Sequence, residues 1–191
     1  MDDTGRAAWP VEQGPSPAAG AVPIECRRAG PRDFDAVQQM LELYQYELSD
    51  IWPQDLDASG RYGYDLSAHR EAARCFAYVA LQGSCYIGLA LVAPACVTRS
   101  AGTWMEQFFI LKRHRGVGAG RALARFVLAC HPGPWEVGQM PANVRAQAFW
   151  RRVIAEFTGG QYTERQVTDG WWQGVVQQFD AADARSRDRQ R

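Results

Sequence analysis

Residues 110–125 of the chain read Ile-Leu-Lys-Arg-His-Arg-Gly-Val-Gly-Ala-Gly-Arg-Ala-Leu-Ala-Arg. An apolar, strand-like segment leads into three alternate glycines, Gly116, Gly118 and Gly120, and a segment with helical patterning follows. Glycine allows the backbone to approach a ligand closely, and a helix N-terminus offers free N–H groups with a partial positive charge. Residues 112–125 hold five cations and no acid. The stretch therefore predicts a phosphate-binding turn between a strand and a helix.

The spacing of these glycines distinguishes among the known phosphate-binding motifs. A P-loop needs a Lys-Ser or Lys-Thr pair after its last glycine, and this chain has neither there. A dinucleotide fingerprint needs Gly-x-Gly-x-x-Gly, whereas these glycines are evenly spaced. The pattern that fits is Arg-x-x-Gly-x-Gly, formed by Arg115, Gly118 and Gly120.

A second pattern, Asn-x-x-Ala-x-x-Phe-Trp, opens a predicted helix further along, with Asn143, Ala146, Phe149 and Trp150. Hydrophobic periodicity predicts the order β-α-β-β-β-α-β-α-β-β. With both motifs in this order, the chain resembles the GNAT superfamily of acyl-CoA-dependent N-acyltransferases over roughly residues 24–180, most of all the compact, single-domain bacterial members. The resemblance implies a mixed α/β fold. Its twisted, mostly antiparallel sheet would have about seven strands, flanked by about four helices and splayed between the fourth and fifth strands.

The resemblance also implies acetyl-CoA as co-substrate and no metal. The strand ending at Ile110 would pair its backbone with the pantetheine arm, and the glycine-rich turn would hold the pyrophosphate. Asn143 and Phe149 would face the pantetheine and the thioester. The cofactor-binding residues implied in this way are Phe108, Ile110, Arg115, Gly116, Val117, Gly118, Ala119, Gly120, Arg121, Asn143, Phe149 and Trp150.

Glu106 is the candidate catalytic base, because it is an ionisable residue within the otherwise apolar strand segment 104–110. Strand alternation predicts that it shares a face with Phe108 and Ile110. Members of the resembled family often carry a glutamate near this position, which accepts the amine proton through water. The alternative interpretation is a solvated or ion-paired strand glutamate.

The sequence does not identify the general acid that protonates the leaving thiolate. Many relatives carry a tyrosine at the position of Trp150, and its hydroxyl can protonate the leaving thiolate, but an indole has no titrating oxygen. The proton would then come from another residue, such as Tyr162 or a tyrosine between 44 and 64, or from water, or the thiolate leaves unassisted. Core packing is the alternative role for Trp150.

Residues 42–65 hold six acids, one arginine and five aromatic residues. In the resembled fold this connection commonly lines the acceptor site, and an acidic, aromatic wall favours a cationic amine. A solvated acidic loop above packed aromatic rings explains the same composition equally well. The candidate acceptor-binding residues are Tyr46, Glu47, Asp50 and Trp52.

Composition limits the remaining function classes. The chain has 191 residues with 21 basic and 21 acidic side chains, which suits a single domain and argues against a general nucleic-acid binder. No apolar run approaches the ~20 residues that a membrane span needs. Five cysteines, an odd number without Cys-x-x-Cys spacing, argue against zinc and disulfides, are interpreted as small buried side chains, and suit a cytoplasmic location.

We expect residues 1–22 to form a disordered tail, residues 23–180 the acyltransferase domain and residues 181–191 a polar tail. The predicted activity is acetyl transfer from acetyl-CoA to a primary amine of a small acceptor, by direct attack in a ternary complex. A protein or peptide N-acetyltransferase and a catalytically silent CoA-binding module are the alternatives. A homodimer is a further expectation, since it is frequent in the resembled family and Trp171 and Trp172 could supply an interface.

Overall fold

The computed structural model describes residues 22–71 and 73–182. The predicted N-terminal tail lies outside the described residues except for Val22, and the predicted polar tail lies outside them beyond Ala182.

The described residues form seven strands and four helices. The strands are β1 (Ile24–Arg28), β2 (Phe76–Gln82), β3 (Cys85–Ala93), β4 (Thr103–Ile110), β5 (Pro134–Gln139), β6 (Thr163–Val167) and β7 (Gly174–Asp180). The helices are α1 (Phe34–Leu48), α2 (Ser67–Glu71), α3 (Ala119–Cys130) and α4 (Val144–Thr158). Among these residues no helix has the length and apolar character that crossing a bilayer requires.

The strands form one sheet in the order β1-β2-β3-β4-β5-β7-β6. Neighbouring strands are antiparallel except for β4 and β5, which are parallel. Their pairing covers only three residues of each strand, from Thr103 opposite Trp135 to Met105 opposite Val137, although β4 continues to Ile110. The predicted mixed α/β fold, with a mostly antiparallel sheet that opens between the fourth and fifth strands, is confirmed.

Helices cover both faces of the sheet. On one face, α3 and α4 bury Leu123, Val127 and Ile154 in the larger hydrophobic cluster. On the other face, α1 buries Val37 and Leu41, whose four-residue spacing puts both side chains on the same side of the helix. Full burial of each such aliphatic side chain contributes roughly 1.5–3 kcal/mol. Beyond Met105 and Val137 the two strands no longer pair, and we call the opening between them the passage.

A buried glutamate fixes the closed end of this opening. Glu136 lies on β5 opposite Trp104 of β4 and is wholly buried. Its carboxylate accepts hydrogen bonds from the backbone N–H groups of Val97 (2.6 Å) and Thr98, and from the Thr98 hydroxyl. Burial alone would raise the pKa of Glu136, but these donors outweigh it and the pKa lies below its ordinary value. The ionised carboxylate therefore ties the loop after β3 to the paired ends of β4 and β5.

The cysteines agree with one part of the prediction and correct another. All five are free, as predicted. The prediction that they are buried is wrong, because Cys85 and Cys130 are exposed and the other three are only partly buried.

Candidate functional site

A large cleft opens where the C-terminal half of β4, the start of α3, α4 and the end of α1 meet; we call it the α3/α4 cleft. Its volume is about 1170 Å³. Ten of the twelve predicted cofactor-binding residues line it: Phe108, Ile110, Arg115, Gly116, Gly118, Gly120, Arg121, Asn143, Phe149 and Trp150. The other two are Val117, whose side chain is exposed, and Ala119, which is buried at the first position of α3.

The glycine-rich turn presents the uncapped N-terminus of α3 to this cleft. Gly116 and Gly118 have φ angles of +79° and +91°, which residues with a side chain rarely adopt. Gly118 is the N-cap of α3 and supplies no side-chain acceptor, so the first N–H groups of the helix stay available to an anion. Gly120 has a different role, because a Cβ atom there would lie 3.2 Å from the Phe149 ring.

Carboxylates neutralise the two arginines predicted to bind phosphate. Arg115 donates from Nε to the Ile110 carbonyl at 2.7 Å, and its guanidinium makes a bidentate pair with Glu47 at 2.5 and 2.8 Å. Arg121 pairs with Glu156 at 2.7 Å, which links α3 to α4. Glu47 is one of the predicted acceptor-binding residues, so this pair joins the predicted cofactor side to the predicted acceptor side.

Sequence reasoning missed two further cations that line the cleft, Arg145 and Arg152 of α4. They lie four residues before and three residues after Phe149, so all three share one side of the helix. That spacing was readable in the sequence. Lys112 of the glycine-rich turn lines the cleft as well. The α3/α4 cleft is therefore more cationic than its motif alone indicates.

Trp150 and Asn143 both have structural roles at this cleft. Trp150 is 4% exposed and packs edge-on against Phe108, with ring centroids 4.9 Å apart. Its packing agrees with the alternative interpretation of this residue. Asn143 caps α4, because its side-chain oxygen accepts a hydrogen bond from the Ala146 N–H at 3.1 Å. The Asn-x-x-Ala spacing thus matches an N-cap and its third helical residue.

Glu106 lies on the other face of β4. The register between β3 and β4 shifts so that Leu91 faces Gln107 and Val92 faces Met105, which leaves Glu106 as the extra residue of a β-bulge. A bulge redirects side chains and interrupts their alternation. The prediction that Glu106 shares a face with Phe108 and Ile110 is therefore wrong: these two pack in the α3 and α4 layer.

The Glu106 carboxylate instead contacts the loop before α2 and α2 itself. The Tyr64 hydroxyl donates to Oε1 at 2.5 Å, and His69 Nε2 lies 3.3 Å from Oε2. We call these three residues the Glu106 cluster. Sequence reasoning named Tyr64 only among the tyrosines between 44 and 64 and missed His69. No local pattern joins either residue to Glu106, because they precede it by 42 and 37 residues.

The cluster and the nearby Tyr44 have shifted ionisation. Burial alone would raise the pKa of Glu106, but His69 and Tyr64 outweigh it and hold the pKa below its ordinary value. Burial and the Glu106 charge raise the pKa of Tyr64 well above its usual range. Burial, with the Glu47 charge, raises the pKa of Tyr44 to about 12. At neutral pH the cluster is therefore a carboxylate held by a protonated phenol.

The predicted acidic wall is only partly brought to the cleft. Glu47 and Asp50 line it, whereas Tyr46 and Trp52 do not and are 69% and 52% exposed. Glu42, from the same acidic segment, accepts hydrogen bonds from the backbone of residues 62 and 63 and so holds its own loop. Within residues 22–71 and 73–182, no group of three or more His, Cys, Asp or Glu side chains is arranged to hold a metal ion.

Comparisons with known proteins agree with this geometry. Residues 37–154 match the family described as "Acetyltransferase (GNAT) family". An acetyltransferase from Thermus thermophilus has a similar structure with 18% identity and a TM-score of 0.61, over 84% of this chain and 99% of that one. Spermidine N-acetyltransferase from Vibrio cholerae, in complex with CoA and spermine, matches with 14% identity and a TM-score of 0.56, over 84% and 97% of the two chains.

A third similar structure is an acetyltransferase from Salmonella typhimurium with its cofactor acetyl-CoA. It has 16% identity and a TM-score of 0.56, over 83% of this chain and 94% of that one. At these identities the likeness shows the shared fold. Comparison with curated protein sequences finds no match.

Proposed function

Because this chain belongs to the GNAT acetyltransferase family, we propose that it moves an acetyl group from acetyl-CoA to a primary amine of a small acceptor, by direct attack in a ternary complex. One observation carries the proposal: the pairing of β4 with β5 ends at Met105, and the next residue is Glu106. We propose that the passage between the two strands, which begins beside this carboxylate, leads to the α3/α4 cleft.

Different parts of the cleft suit the pyrophosphate and the pantetheine arm of acetyl-CoA. The uncapped start of α3, with its left-handed Gly116 and Gly118, suits a pyrophosphate. Phe108 and Phe149 stack at 5.5 Å and suit the apolar part of the pantetheine arm. When bound, acetyl-CoA supplies the activated thioester. We propose that the cleft orients it so that the carbonyl carbon faces the passage toward Glu106.

Glu106 is the proposed base. Its low pKa keeps it ionised at neutral pH, so it can pair with an acceptor ammonium and take up one of its protons, directly or through water. The neutral amine attacks the carbonyl carbon, the C–S bond breaks, and the thiolate takes a proton. The raised pKa values of Tyr44 and Tyr64 make both phenols weaker acids than free tyrosine. We therefore propose that a water molecule carries the proton released by the attacking nitrogen to the departing thiolate, so that neither phenol is needed as the acid.

For the acceptor we propose a small, cationic amine. Glu47 is paired with Arg115, so the carboxylates that support attraction of a cation are Asp50, which lines the cleft, and Glu106. The structural neighbour from Vibrio cholerae is a spermidine N-acetyltransferase, and another carries a bisubstrate analogue of CoA and an acetylneamine. Tyr46 and Trp52, which are exposed nearby in the chain, stay candidate contacts for a larger acceptor.

The remaining expectations are also proposals. We propose residues 23–180 as the acyltransferase domain and a cytoplasmic location, which the five free cysteines support. The exposed Trp171 supports a homodimer through the β6 and β7 end of the sheet. Sedimentation of the wild-type protein and of Trp171→Ser tests the interface, and a monomeric wild-type protein would rule it out.

Thiol release from acetyl-CoA tests the activity. The full chain is incubated with acetyl-CoA and, separately, with polyamines, aminoglycosides, amino acids and peptides. We expect polyamines or aminoglycosides to raise thiol release well above the rate with water alone. Preference for anionic amines would contradict the cationic acceptor, and preference for peptides would favour the peptide N-acetyltransferase.

Trp150 favours one second candidate, a catalytically silent CoA-binding module, since this buried indole stands where relatives carry a titrating phenol. Tight CoA binding without turnover for any amine would select that function.

A further inference from the structure

His69 belongs to neither sequence motif, yet its side chain is almost completely buried. It lies in α2, which starts after Asp65, whose carboxylate accepts a hydrogen bond from the Ser67 N–H at 2.9 Å. The His69 side chain is only 3% exposed, and neighbouring Leu66 is buried in the α1 layer. A polar ring buried so fully carries a free-energy cost unless its nitrogens have partners.

Within the described residues, neither ring nitrogen of His69 makes a hydrogen bond of good geometry. The nearest charged atom is Oε2 of Glu106, 3.3 Å from Nε2. On the opposite side of the carboxylate, the Tyr64 hydroxyl donates to Oε1. The two oxygens of Glu106 are therefore bracketed by two side chains from one segment, 64–69, while about 30% of the glutamate side chain stays exposed.

We infer that His69 is a positioning residue: Nε2, 3.3 Å from Oε2 of Glu106, carries a proton whose electrostatic attraction keeps the carboxylate ionised and in place, with its free lone pairs facing the passage between β4 and β5. The Tyr64 hydroxyl holds Oε1 by donating a hydrogen bond to it. The inference rests on the proposed function and deepens it, because it names the groups that keep the base ready for an acceptor amine. Neither His69 nor Tyr64 is required to touch the substrate.

Loss of a donor to Glu106 should shift the pH dependence of activity in one direction. The groups whose charges act on the pair are Tyr64 and Asp65 beside α2 and Cys75 before β2. Cys75 and Tyr64 both have raised pKa values and stay neutral near pH 7, so they add no charge there. Burial favours the protonated carboxyl of Glu106, and the two donors oppose it. Removal of a donor therefore raises the pKa of Glu106, and activity is lost at a higher pH as the solution is acidified.

The test compares two substitutions at His69. His69→Met fills the space without a donor, whereas the amide of His69→Gln can place an N–H near the position of Nε2. We expect His69→Met to move the acid limb of kcat/KM upward by ~1 pH unit, with a larger loss at pH 6 than at pH 8, and His69→Gln to restore the wild-type limb. Glu71→Gln, an exposed change on the same helix, should leave the profile unchanged.

Two results would overturn the inference. One is an equal loss of activity at every pH in His69→Met with the acid limb unmoved, which is the signature of a purely structural residue. The other is a His69→Gln profile identical to that of His69→Met. Both variants should bind acetyl-CoA like the wild type, because His69 does not line the α3/α4 cleft, and this binding reports that they fold.

A second readout separates this inference from the proposed function. Carbon-detected NMR follows the titration of the Glu106 carboxyl directly, with Glu106→Gln used to assign its signal. If the wild type turns over no amine, the proposed function fails, yet the carboxyl should still titrate at higher pH in His69→Met than in the wild type. An unchanged carboxyl titration would overturn the inference whatever the activity.

Discussion

The α3/α4 cleft and the Glu106 cluster share no residue and are assembled in opposite ways. The cleft takes most of its lining from two continuous stretches, 108–121 and 142–156, and offers backbone N–H groups and cations. The Glu106 cluster joins side chains from segments about 40 residues apart, and it offers an anion. The anion-binding N–H groups at the start of α3 thus depend on the local geometry of the glycines. The position of the Glu106 carboxylate depends on tertiary contacts.

Glu106→Gln should have the largest effect, because it removes the base and leaves the cleft intact. General-base catalysis typically contributes 10²–10⁴-fold, so we expect kcat/KM for the amine to fall by about that factor. Thiol release under saturating acetyl-CoA measures the change. Glu25→Gln, on an exposed strand position of β1, is the matched control. Activity near the wild-type level in Glu106→Gln would show that Glu106 is a strand glutamate without a catalytic role.

Gly118→Ala should damage the other region. A side chain at φ +91° carries ~1–3 kcal/mol of backbone strain, and relief of that strain would move the first N–H groups of α3. We expect the Kd for acetyl-CoA to rise by roughly 10-fold, measured by calorimetry.

The matched control for Gly118→Ala is Gly160→Ala. Gly160 has a similar φ of +84° and equally open surroundings, but it does not line the cleft. Both variants should lose thermal stability, and only Gly118→Ala should lose affinity. Equal losses of affinity would mean that strain anywhere in the chain weakens acetyl-CoA binding, and that the turn has no special part in it.

The two regions also differ in how much of each could be predicted from the sequence. Periodicity predicted the order of strands and helices along the chain, and alternate glycines predicted a helix start that can bind an anion, because these signals act between near neighbours. The β-bulge at Glu106 depends on the register of β3 against β4, which no local pattern encodes. The bulge is the reason why strand alternation placed Glu106 on the wrong face. Tyr64 and His69 reach Glu106 only through tertiary packing.

Glu47→Gln should have the smallest effect. It tests whether Glu47 competes with the cofactor phosphate for Arg115. The Arg115–Glu47 pair is partly exposed, and such pairs contribute about 0–1 kcal/mol. Loss of the charge should free the Arg115 guanidinium for phosphate, so we expect acetyl-CoA to bind up to roughly 5-fold more tightly at low salt. Weaker binding would instead show that Glu47 holds Arg115 in place for the cofactor.

The central claim is that cofactor binding and base function reside in separate sets of residues, the α3/α4 cleft and the Glu106 cluster. Calorimetric titration of Glu106→Gln with acetyl-CoA, alongside its turnover of the preferred amine, tests it most directly. The account predicts a Kd within about twofold of the wild type together with the loss of turnover. A Kd that rises in step with the loss of turnover would contradict the account, because it would place Glu106 within the acetyl-CoA site itself.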